Sequence, residues 1–468
     1  MFDKVLIANR GEIAVRVARA CKELGVGTVA VYSTADQDSA VVRLADESVC
    51  IGPPPSRQSY LNAAAVVEAA LQTGADAVHP GYGFLAEDPD FAEICTDNGL
   101  TFIGPPPGVL AQLGDKATAR VLMQRAGLPL LPGQAEVISD TSDAVCAADR
   151  IGFPVIIKAA AGGGGRGMTV VRSRADVAHA YRETRRAALS VFGDDRVYLE
   201  RYLDRARHVE VQLLCDGQGR AIHLGTRDCS VQRRRQKLVE EAPAPTLAGD
   251  TGRAMCETAA RAVAGLGFTG AGTAEFLVDD DERYYFMEVN SRIQVEHPVT
   301  EMVTGVDLVQ EQLRIAAGMP LRWRQADVEL RGVSVECRVN AEDPQRQFAP
   351  TPAMVSRFVP PGGPFTRVDT HGFPGWQIGP DYDSLLAKVV VWGHDRDEAL
   401  RRMDRALGEF DVDGAGLATT IPFLRRVLVD PEFRKASHGT GLVDRLVAER
   451  VEQSDDGEEE THDQQRVR

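Results

Sequence analysis

The sequence predicts a multidomain protein that combines α/β and α+β architecture. Three observations carry that prediction. Residues 1 to about 110 alternate short apolar strands with amphipathic helices, the mark of a parallel sheet covered on both faces. The middle of the chain adds a second α/β region with a glycine-rich insert and a polar hairpin. Beyond Arg331 the pattern changes to short strands, Pro/Gly turns and a late helix. A chain of 468 residues has room for roughly two to four such units.

In order, Val5–Ala8 reads as a buried strand. Gly11–Leu24 has apolar positions at helical spacing and is stopped by Gly25. Thr28–Tyr32, the helix Asn62–Thr73 and the strand Ala77–His79 continue the alternation, and Gly104-Pro-Pro-Pro107 punctuates it. Lys116–Ala126 reads as a helix capped by Asp115. Val155–Lys158 and Thr169–Arg172 are strands on either side of a glycine run, and Val197–Leu199 is another. The late strands are Gly332–Val339, Met354–Phe358 and Leu385–Trp392, followed by the helix Arg396–Gly408. The expected divisions are 1–113, 114–330 with an insert at about 131–203, 331–446, and an acidic tail at 447–468. From Glu449 onward eight acids face three arginines, too charged and too poor in apolar groups to offset ordering entropy, so disorder is expected there.

Composition narrows the function. Hydrophobic residues make up 44% and charged residues 26%, as in an ordinary globular protein. The net charge of -15 argues against a general nucleic-acid binder. The eight cysteines are scattered without a Cys-x-x-Cys pair, which points to buried thiols in a reducing compartment. Met1 leads directly into a strand-like run with no targeting pattern, and no apolar run reaches the ~18 residues that span a bilayer. The expected location is the cytoplasm, with neither membrane nor nucleic acid as a partner.

The chemistry concentrates near residue 290. Glu288, Asn290, Arg292, Gln294 and Glu296 occupy alternate positions, which a strand would throw to one side. Glu275 lies upstream in the strand-like Gly-Thr-Ala-Glu-Phe-Leu-Val, and the polar turn Asp279 to Arg283 joins the two runs as a hairpin. Such a hairpin sets Glu275 beside Glu288. Two carboxylates about 4 Å apart repel by roughly 4 kcal/mol at an effective dielectric near 20. A divalent cation with oxygen ligands is the usual compensation. Arg292 adds an anion clamp and Glu296 a possible base. A hairpin with one solvated polar face is the competing reading, but the interleaved Asn, Arg and Gln favour a catalyst that acts on an anion.

Lys158-Ala-Ala-Ala-Gly-Gly-Gly-Gly-Arg-Gly-Met168 exposes backbone N–H groups between two cations, as a phosphate cradle does. It is not a Walker loop, because no Gly-Lys-[Ser/Thr] opens a helix. A flexible linker is the alternative. Gly114-Asp115-Lys116 supplies another lysine at a helix start. Glu200-Arg201-Tyr202-Leu203 joins the insert to the body and reads either as an adenine and ribose contact or as a simple hinge. Arg227 to Lys237 gathers five cations, without the aromatics that a nucleic-acid patch would carry.

Together these motifs resemble the biotin carboxylase family, the ATP-grasp enzymes of acyl-CoA and pyruvate carboxylases. The matches run in order over about residues 2 to 445. They are Ile7-Ala-Asn-Arg-Gly-Glu-Ile, His79-Pro-Gly-Tyr-Gly-Phe-Leu-Ala-Glu87, Gly114-Asp-Lys, the glycine loop, Arg207-His-Val-Glu210, Arg227-Asp-Cys-Ser-Val-Gln-Arg-Arg, Glu240-Glu-Ala-Pro, Arg292-Ile-Gln-Val-Glu-His-Pro298, Val335-Glu-Cys-Arg338 and Asp383-Ser-Leu-Leu.

The resemblance implies an N-terminal biotin carboxylase domain, an ATP-grasp domain whose insert is a lid, and a biotin carboxylase C-terminal domain. It implies ATP held by Lys116, Lys158, Gly164, Gly165, Glu200, Arg201, Tyr202, Leu203, His208, Gln232 and Arg235. Glu275, Glu288 and Asn290 would hold two magnesium ions, with manganese as a substitute. Lys237, Arg292, Gln294, Val295 and Glu296 would bind bicarbonate, with Glu296 as base, while Tyr82 and Arg338 would meet biotin. The implied reaction is ATP- and bicarbonate-dependent carboxylation of biotin through carboxyphosphate, the first half-reaction of an acyl-CoA carboxylase such as that of fatty acid synthesis.

No Ala-Met-Lys-Met biotin attachment motif occurs in the sequence. The expected partners are therefore a biotin carboxyl carrier protein and carboxyltransferase subunits. Arg19, Glu23 and Arg367 match positions of the family's dimer contacts, so a homodimer is expected; surface ion pairs are the alternative. The chain departs from the family pattern at Arg235 (usually histidine), Thr226 (glutamate), Ala160 and Ala161 (a small polar residue and glycine), Arg201 (lysine) and Thr420 (asparagine). Two other readings compete. One is a different ATP-grasp carboxylate ligase. The other is a non-catalytic nucleotide-binding subunit that organises a carboxylase complex.

Overall fold

The first strand, Lys4–Ile7, buries both of its faces. Val5 and Ile7 pack on one side with Ile13 and Val17 of the helix Gly11–Glu23, while Leu6 packs on the other with Val29, Val31 and Val78. A strand apolar on both faces belongs inside a parallel sheet. In the computed structural model that sheet has five strands in the order Glu47–Gly52, Gly27–Ser33, Lys4–Ile7, Ala77–His79, Thr101–Phe102, all parallel. The structure describes residues 1–134, 137–160, 167–245, 247 and 249–449.

The second sheet has eight antiparallel strands. Their order is Tyr284–Asn290, Gly270–Val278, Arg207–Cys215, Ala221–Arg233, Gln236–Ala242, Val333–Asn340, Leu385–Gly393 and Thr366–Thr370. One face near the hairpin end buries Val209, Val211, Ala274, Phe276 and Phe286 against Met255, Ala259 and Val263 of the helix Asp250–Ala264. The residues between them, His208, Glu210, Thr273 and Glu275, take the opposite face, as the two-residue period requires. Pairing continues across residues 330/331, where Val239 opposes Cys337 and Glu240 opposes Glu336. Strands on both sides of that division therefore build one polar surface.

The segment around the glycine run forms a four-stranded antiparallel sheet, ordered Gly133–Gln134, Val197–Arg201, Val155–Ala159, Met168–Val171. The helices Thr141–Ile151 and Val177–Phe192 cover one side through Ala144, Ala148, Val177 and Tyr181.

The structure corrects the sequence reading in several places. The strand read at Met354–Phe358 is Arg357–Val359. The acidic tail begins later than residue 447, because a helix runs over 442–449 and Glu449 accepts from Arg445 (2.7 Å) and Arg426 (3.3 Å). The rest of the expected disordered tail lies outside the described residues. Six of the eight free thiols are buried, but Cys50 and Cys146 are exposed. Among the described residues no helix is long and apolar enough to cross a membrane.

Candidate active site

The hairpin forms as its sequence predicts. Gly270–Val278 and Tyr284–Asn290 pair antiparallel with a register shift between Glu275 and Phe276, and Glu275 lies opposite Glu288 and Thr273 opposite Asn290. The strand then stops at Asn290, and the next helix opens at His297 with Pro298 in its first turn. Arg292, Gln294 and Glu296 therefore reach the site from a loop, which corrects the strand expected over those positions. All three nevertheless face the polar side of the large sheet.

Glu275 is the hub. Its Oε1 accepts from Asn290 Nδ2 (2.7 Å) and Gln294 Nε2 (2.8 Å), and its Oε2 lies 2.9 Å from His208 Nε2. Burial by itself would push the Glu275 carboxyl up; Lys237 and His208 reverse that and hold it well below the usual carboxylate range. Burial likewise favours neutral His208, and Glu275 overrides it, so His208 titrates above its ordinary value. Glu288 Oε2 sits 2.9 Å from Lys116 Nζ. Lys116 opens the helix Lys116–Arg125, where Asp115 caps Thr118 N at 2.8 Å as expected.

Glu296 lies between two cations. Lys237 Nζ is 2.5 Å from its Oε1, and Arg338 Nη2 is 2.9 Å from its Oε2. Desolvation would raise this carboxyl, but Lys237, Arg338 and Arg227 hold it below the usual carboxylate range. Lys237 also touches Glu210 and lies 3.3 Å from Glu275, and these carboxylates keep its ammonium protonated despite burial. Arg338 Nε donates to Glu240 Oε1 at 2.6 Å. Arg292 is oriented by Glu87, with Nε to Oε2 at 2.8 Å, and by Asn290 Oδ1 at 3.0 Å. The charges of Lys237, Arg292 and Arg338 all act on Glu296, a concentration of positive charge that would suit a small anion.

The insert presents its residues differently from expectation. Glu200 and Arg201 lie within the strand Val197–Arg201 rather than after it. The Glu200 carboxylate is buried and engaged by Arg120 and Lys158, so the acid read as a ribose contact is already paired. Burial, with Lys116 and Arg120 nearby, pulls Lys158 down to about 7 against the attraction of Glu288. Backbone N–H groups of Arg201 and Tyr202 donate to Pro132 (2.8 Å) and Pro154 (3.0 Å), and Leu203 is half-buried at the junction. Gln232 is buried near the end of Ala221–Arg233. Arg235 occupies the exposed turn after it at φ +68°, and its charge reaches Tyr202 and Lys158. Gly164 and Gly165 lie outside the described residues, as does Ala161.

Tyr82 donates its hydroxyl to Glu12 Oε1 at 2.6 Å. Thr226 and Thr420, two departures from the family pattern, have structural partners. Thr226 Oγ1 accepts from Ala244 N at 3.1 Å, and Thr420 Oγ1 donates to Arg338 O at 3.0 Å, which supports the strand that carries Arg338. Arg19, Glu23 and Arg367 converge on a concavity of about 410 Å³, together with Arg16, Glu301 and Asp369.

Several residues of the site were not singled out in the sequence. Arg227 is completely buried and donates to Glu210 Oε2 (3.0 Å), Gln212 Oε1 (2.6 Å), Thr300 Oγ1 (3.1 Å) and Gln294 Oε1 (2.5 Å). Glu210 and Glu240 complete the cross-strand set, and Glu87 anchors Arg292. Each lies inside a quoted motif, so the signal was present without a role.

The donor set suits a hard divalent cation. Glu275, Glu288 and Asn290 supply oxygens from one hairpin, and the two carboxylates already require positive compensation, here from Lys237, His208 and Lys116.

Known proteins resemble this chain in sequence and fold. Residues 1–110 match the family described as biotin carboxylase, N-terminal domain; residues 115–324 match the carbamoyl-phosphate synthase L chain ATP binding domain; and residues 336–445 match the biotin carboxylase C-terminal domain. Biotin carboxylase 1 of Bacillus subtilis is 50% identical over 445 residues, covering 95% of this chain and 98% of the relative. The crystal structure of a Campylobacter jejuni biotin carboxylase–β,γ-ATP complex superposes with a TM-score of 0.93 at 43% identity, covering 95% of this chain and 99% of the other. The biotin carboxylase domain dimer of the Hydrogenobacter thermophilus 2-oxoglutarate carboxylase, solved with MgADP, ADP and bicarbonate, gives 0.92 at 46% identity over 95% and 98%. On this coverage and identity, the chain belongs to the biotin carboxylase family of ATP-dependent ligases.

Proposed function

We propose that this chain is the biotin carboxylase component of a biotin-dependent carboxylase, and that the residues assembled above carry its reaction. The observation that carries the assignment is the Glu296 carboxylate between Lys237 and Arg338, beside the Glu275–Glu288 pair. Lys116, Lys158, His208, Gly164 and Gly165 bind the phosphates of MgATP. Glu200 to Leu203, Gln232 and Arg235 lie toward its adenosine end. Glu275, Glu288 and Asn290 hold the magnesium that arrives with the nucleotide, and that ion neutralises charge as the γ-phosphoryl group moves.

Lys237, Arg292, Gln294 and the Val295 backbone hold bicarbonate, and Glu296 takes its proton. The deprotonated oxygen attacks the γ-phosphorus, ADP leaves, and carboxyphosphate forms. Carboxyphosphate breaks down to CO2 and phosphate; the phosphate removes the ureido proton of biotin, and the resulting nitrogen anion attacks CO2. Arg338 stabilises the biotin enolate, with Tyr82 at the same end. Water must be kept from carboxyphosphate, and the insert at about 131–203 is the segment placed to close as a lid.

The remaining assignments complete this reading. The domains run 1–113, 114–330 and 331–446. Biotin comes on a carrier protein, and carboxyltransferase subunits use the product. The concavity at Arg19, Glu23 and Arg367 forms a homodimer contact. Free thiols suit the reducing cytoplasm. ATP hydrolysis measured with and without bicarbonate and free biotin tests the assignment. Bicarbonate-dependent cleavage accelerated by biotin is expected. Cleavage indifferent to biotin would favour another ATP-grasp ligase, and nucleotide binding without cleavage would favour a non-catalytic subunit.

A further inference from the structure

Lys388 lies in the strand Leu385–Gly393 and is completely buried, yet no role above uses it. A buried ammonium is costly unless it is paired and its donors are satisfied. Here a hydrogen bond, a close ion pair and a more distant carboxylate compensate it. Lys388 Nζ donates to the Val295 carbonyl at 2.8 Å, pairs with Glu12 Oε1 at 3.0 Å, and has Asp369 Oδ2 at 3.8 Å.

Each contact belongs to a different part of the chain. Glu12 is in the first helix of the N-terminal sheet domain, and its Oε1 also accepts the Tyr82 hydroxyl at 2.6 Å. Val295 is in the loop between the hairpin and the helix His297–Thr304, where no strand ladder fixes the backbone. Its carbonyl belongs to the peptide that leads into Glu296. Asp369 is held by Arg367, with Nη2 to Oδ2 at 2.6 Å. One ammonium thus grips the peptide before Glu296 and, through Glu12, the phenol of Tyr82.

We propose that Lys388 is a positioning residue for the carboxylation site: its bond to the Val295 carbonyl sets the backbone that aims Glu296, and its bond to Glu12 sets Tyr82. The inference rests on the roles of Glu296 and Tyr82 given above. It makes the geometry of base and biotin ends depend on a single charge that touches neither substrate. Removing Lys388 alone would strand Glu12 as an unpaired buried carboxylate, so the informative variant is the double substitution Glu12→Gln/Lys388→Met. That pair is neutral, and the amide oxygen still accepts from Tyr82.

Two measurements decide the matter. Amide hydrogen exchange over 291–297 in the ligand-free protein is expected to rise by about tenfold in the double variant, with the rest of the large sheet unchanged. The Michaelis constant for bicarbonate is expected to rise by a similar factor, while that for ATP stays within about twofold of wild type. Unchanged exchange in that loop, or exchange raised evenly across the sheet, would overturn the inference. If the double variant does not fold, Lys388→Arg, which keeps the charge but moves its donors, enters the same comparison with the same expected and contrary results. Exchange needs no turnover, so a wild type inert toward bicarbonate would sink the proposed function while the loop measurement still decides the role of Lys388.

Discussion

Lys237 and Glu296 are in direct contact, with Nζ 2.5 Å from Oε1, and Arg338 occupies the other carboxylate oxygen at 2.9 Å. A carboxylate gripped from both sides is a weak base, since both cations favour its ionised form. An anion arriving between Lys237 and Arg292 would draw Lys237 away and restore basicity to Glu296 when its proton acceptance is needed. On the proposed reading, the ground state holds Glu296 as an ion and substrate binding would convert it to a base. Lys237→Met should lower kcat/KM for bicarbonate by on the order of 100-fold or more, with nucleotide affinity little changed. Steady-state kinetics together with nucleotide titration check this. A loss confined to ATP binding would place Lys237 on the phosphates.

Glu288 Oε2 and Lys116 Nζ form a second ion pair at 2.9 Å. If Glu275, Glu288 and Asn290 hold magnesium, Glu288→Gln should raise the magnesium concentration for half-maximal activity by on the order of tenfold. Manganese should restore part of the loss, because it tolerates a weaker oxygen ligand. A magnesium dependence identical to wild type would remove Glu288 from the metal site.

Glu336 offers a prediction for stability. It is fully buried, opposes Glu240 across the sheet, and neither carboxylate oxygen has a hydrogen-bond partner. Burial pushes its pKa well above the ordinary value and pushes Glu240 to about 7. A raised carboxyl pKa means that the folded state holds a proton the unfolded state has lost. The stabilisation is fully present below the unfolded value, about 4.3, and is lost as pH rises through the folded value. Glu336→Gln cannot ionise, and the amide can donate to the unpartnered Glu240 Oε2. It should therefore be more stable than wild type at pH 8 and differ little from it at pH 5. Denaturant melts at the two pH values test this, and an equal effect at both would refute the buried proton.

Arg235 is a departure among the residues proposed to lie toward the adenosine end of the nucleotide. Its guanidinium stays charged at any working pH, where the family's usual histidine is neutral near pH 7. Its charge bears on Lys158, which burial already pulls down to about 7. Arg235→His should change the Michaelis constant for ATP by several-fold, equivalent to about 1 kcal/mol, with turnover altered less. Identical constants would show that the guanidinium does not face the nucleotide.

The sequence named the residues that come together here better than it placed them on their elements. The Glu275–Glu288 hairpin was legible because a two-residue period and a polar turn are local signals. The same alternation continued past Asn290 named Arg292, Gln294 and Glu296, but placed them on a strand that ends before them. The turn into the helix with Pro298 in its first turn explains the break. Glu200 looked free because its partner Arg120 lies in a separate helix. Lys388 passed unnoticed, and Arg227 was read only as one of five clustered cations, for a related reason. Nothing local distinguishes a buried cation from a surface one, and the Glu12 partner of Lys388 lies at the far end of the chain. Nor did any short-range pattern show that Gln236–Ala242 pairs with Val333–Asn340 and so brings Arg338 to Glu296.

In the proposed reaction an oxygen of bicarbonate attacks the γ-phosphorus after Glu296 takes the proton. Bicarbonate labelled with 18O follows that oxygen. With MgATP and free biotin, each phosphate released should carry one labelled oxygen, the other two remaining with the carbon, and Glu296→Gln should transfer none. Phosphate released without label would mean that water, not bicarbonate, attacks ATP.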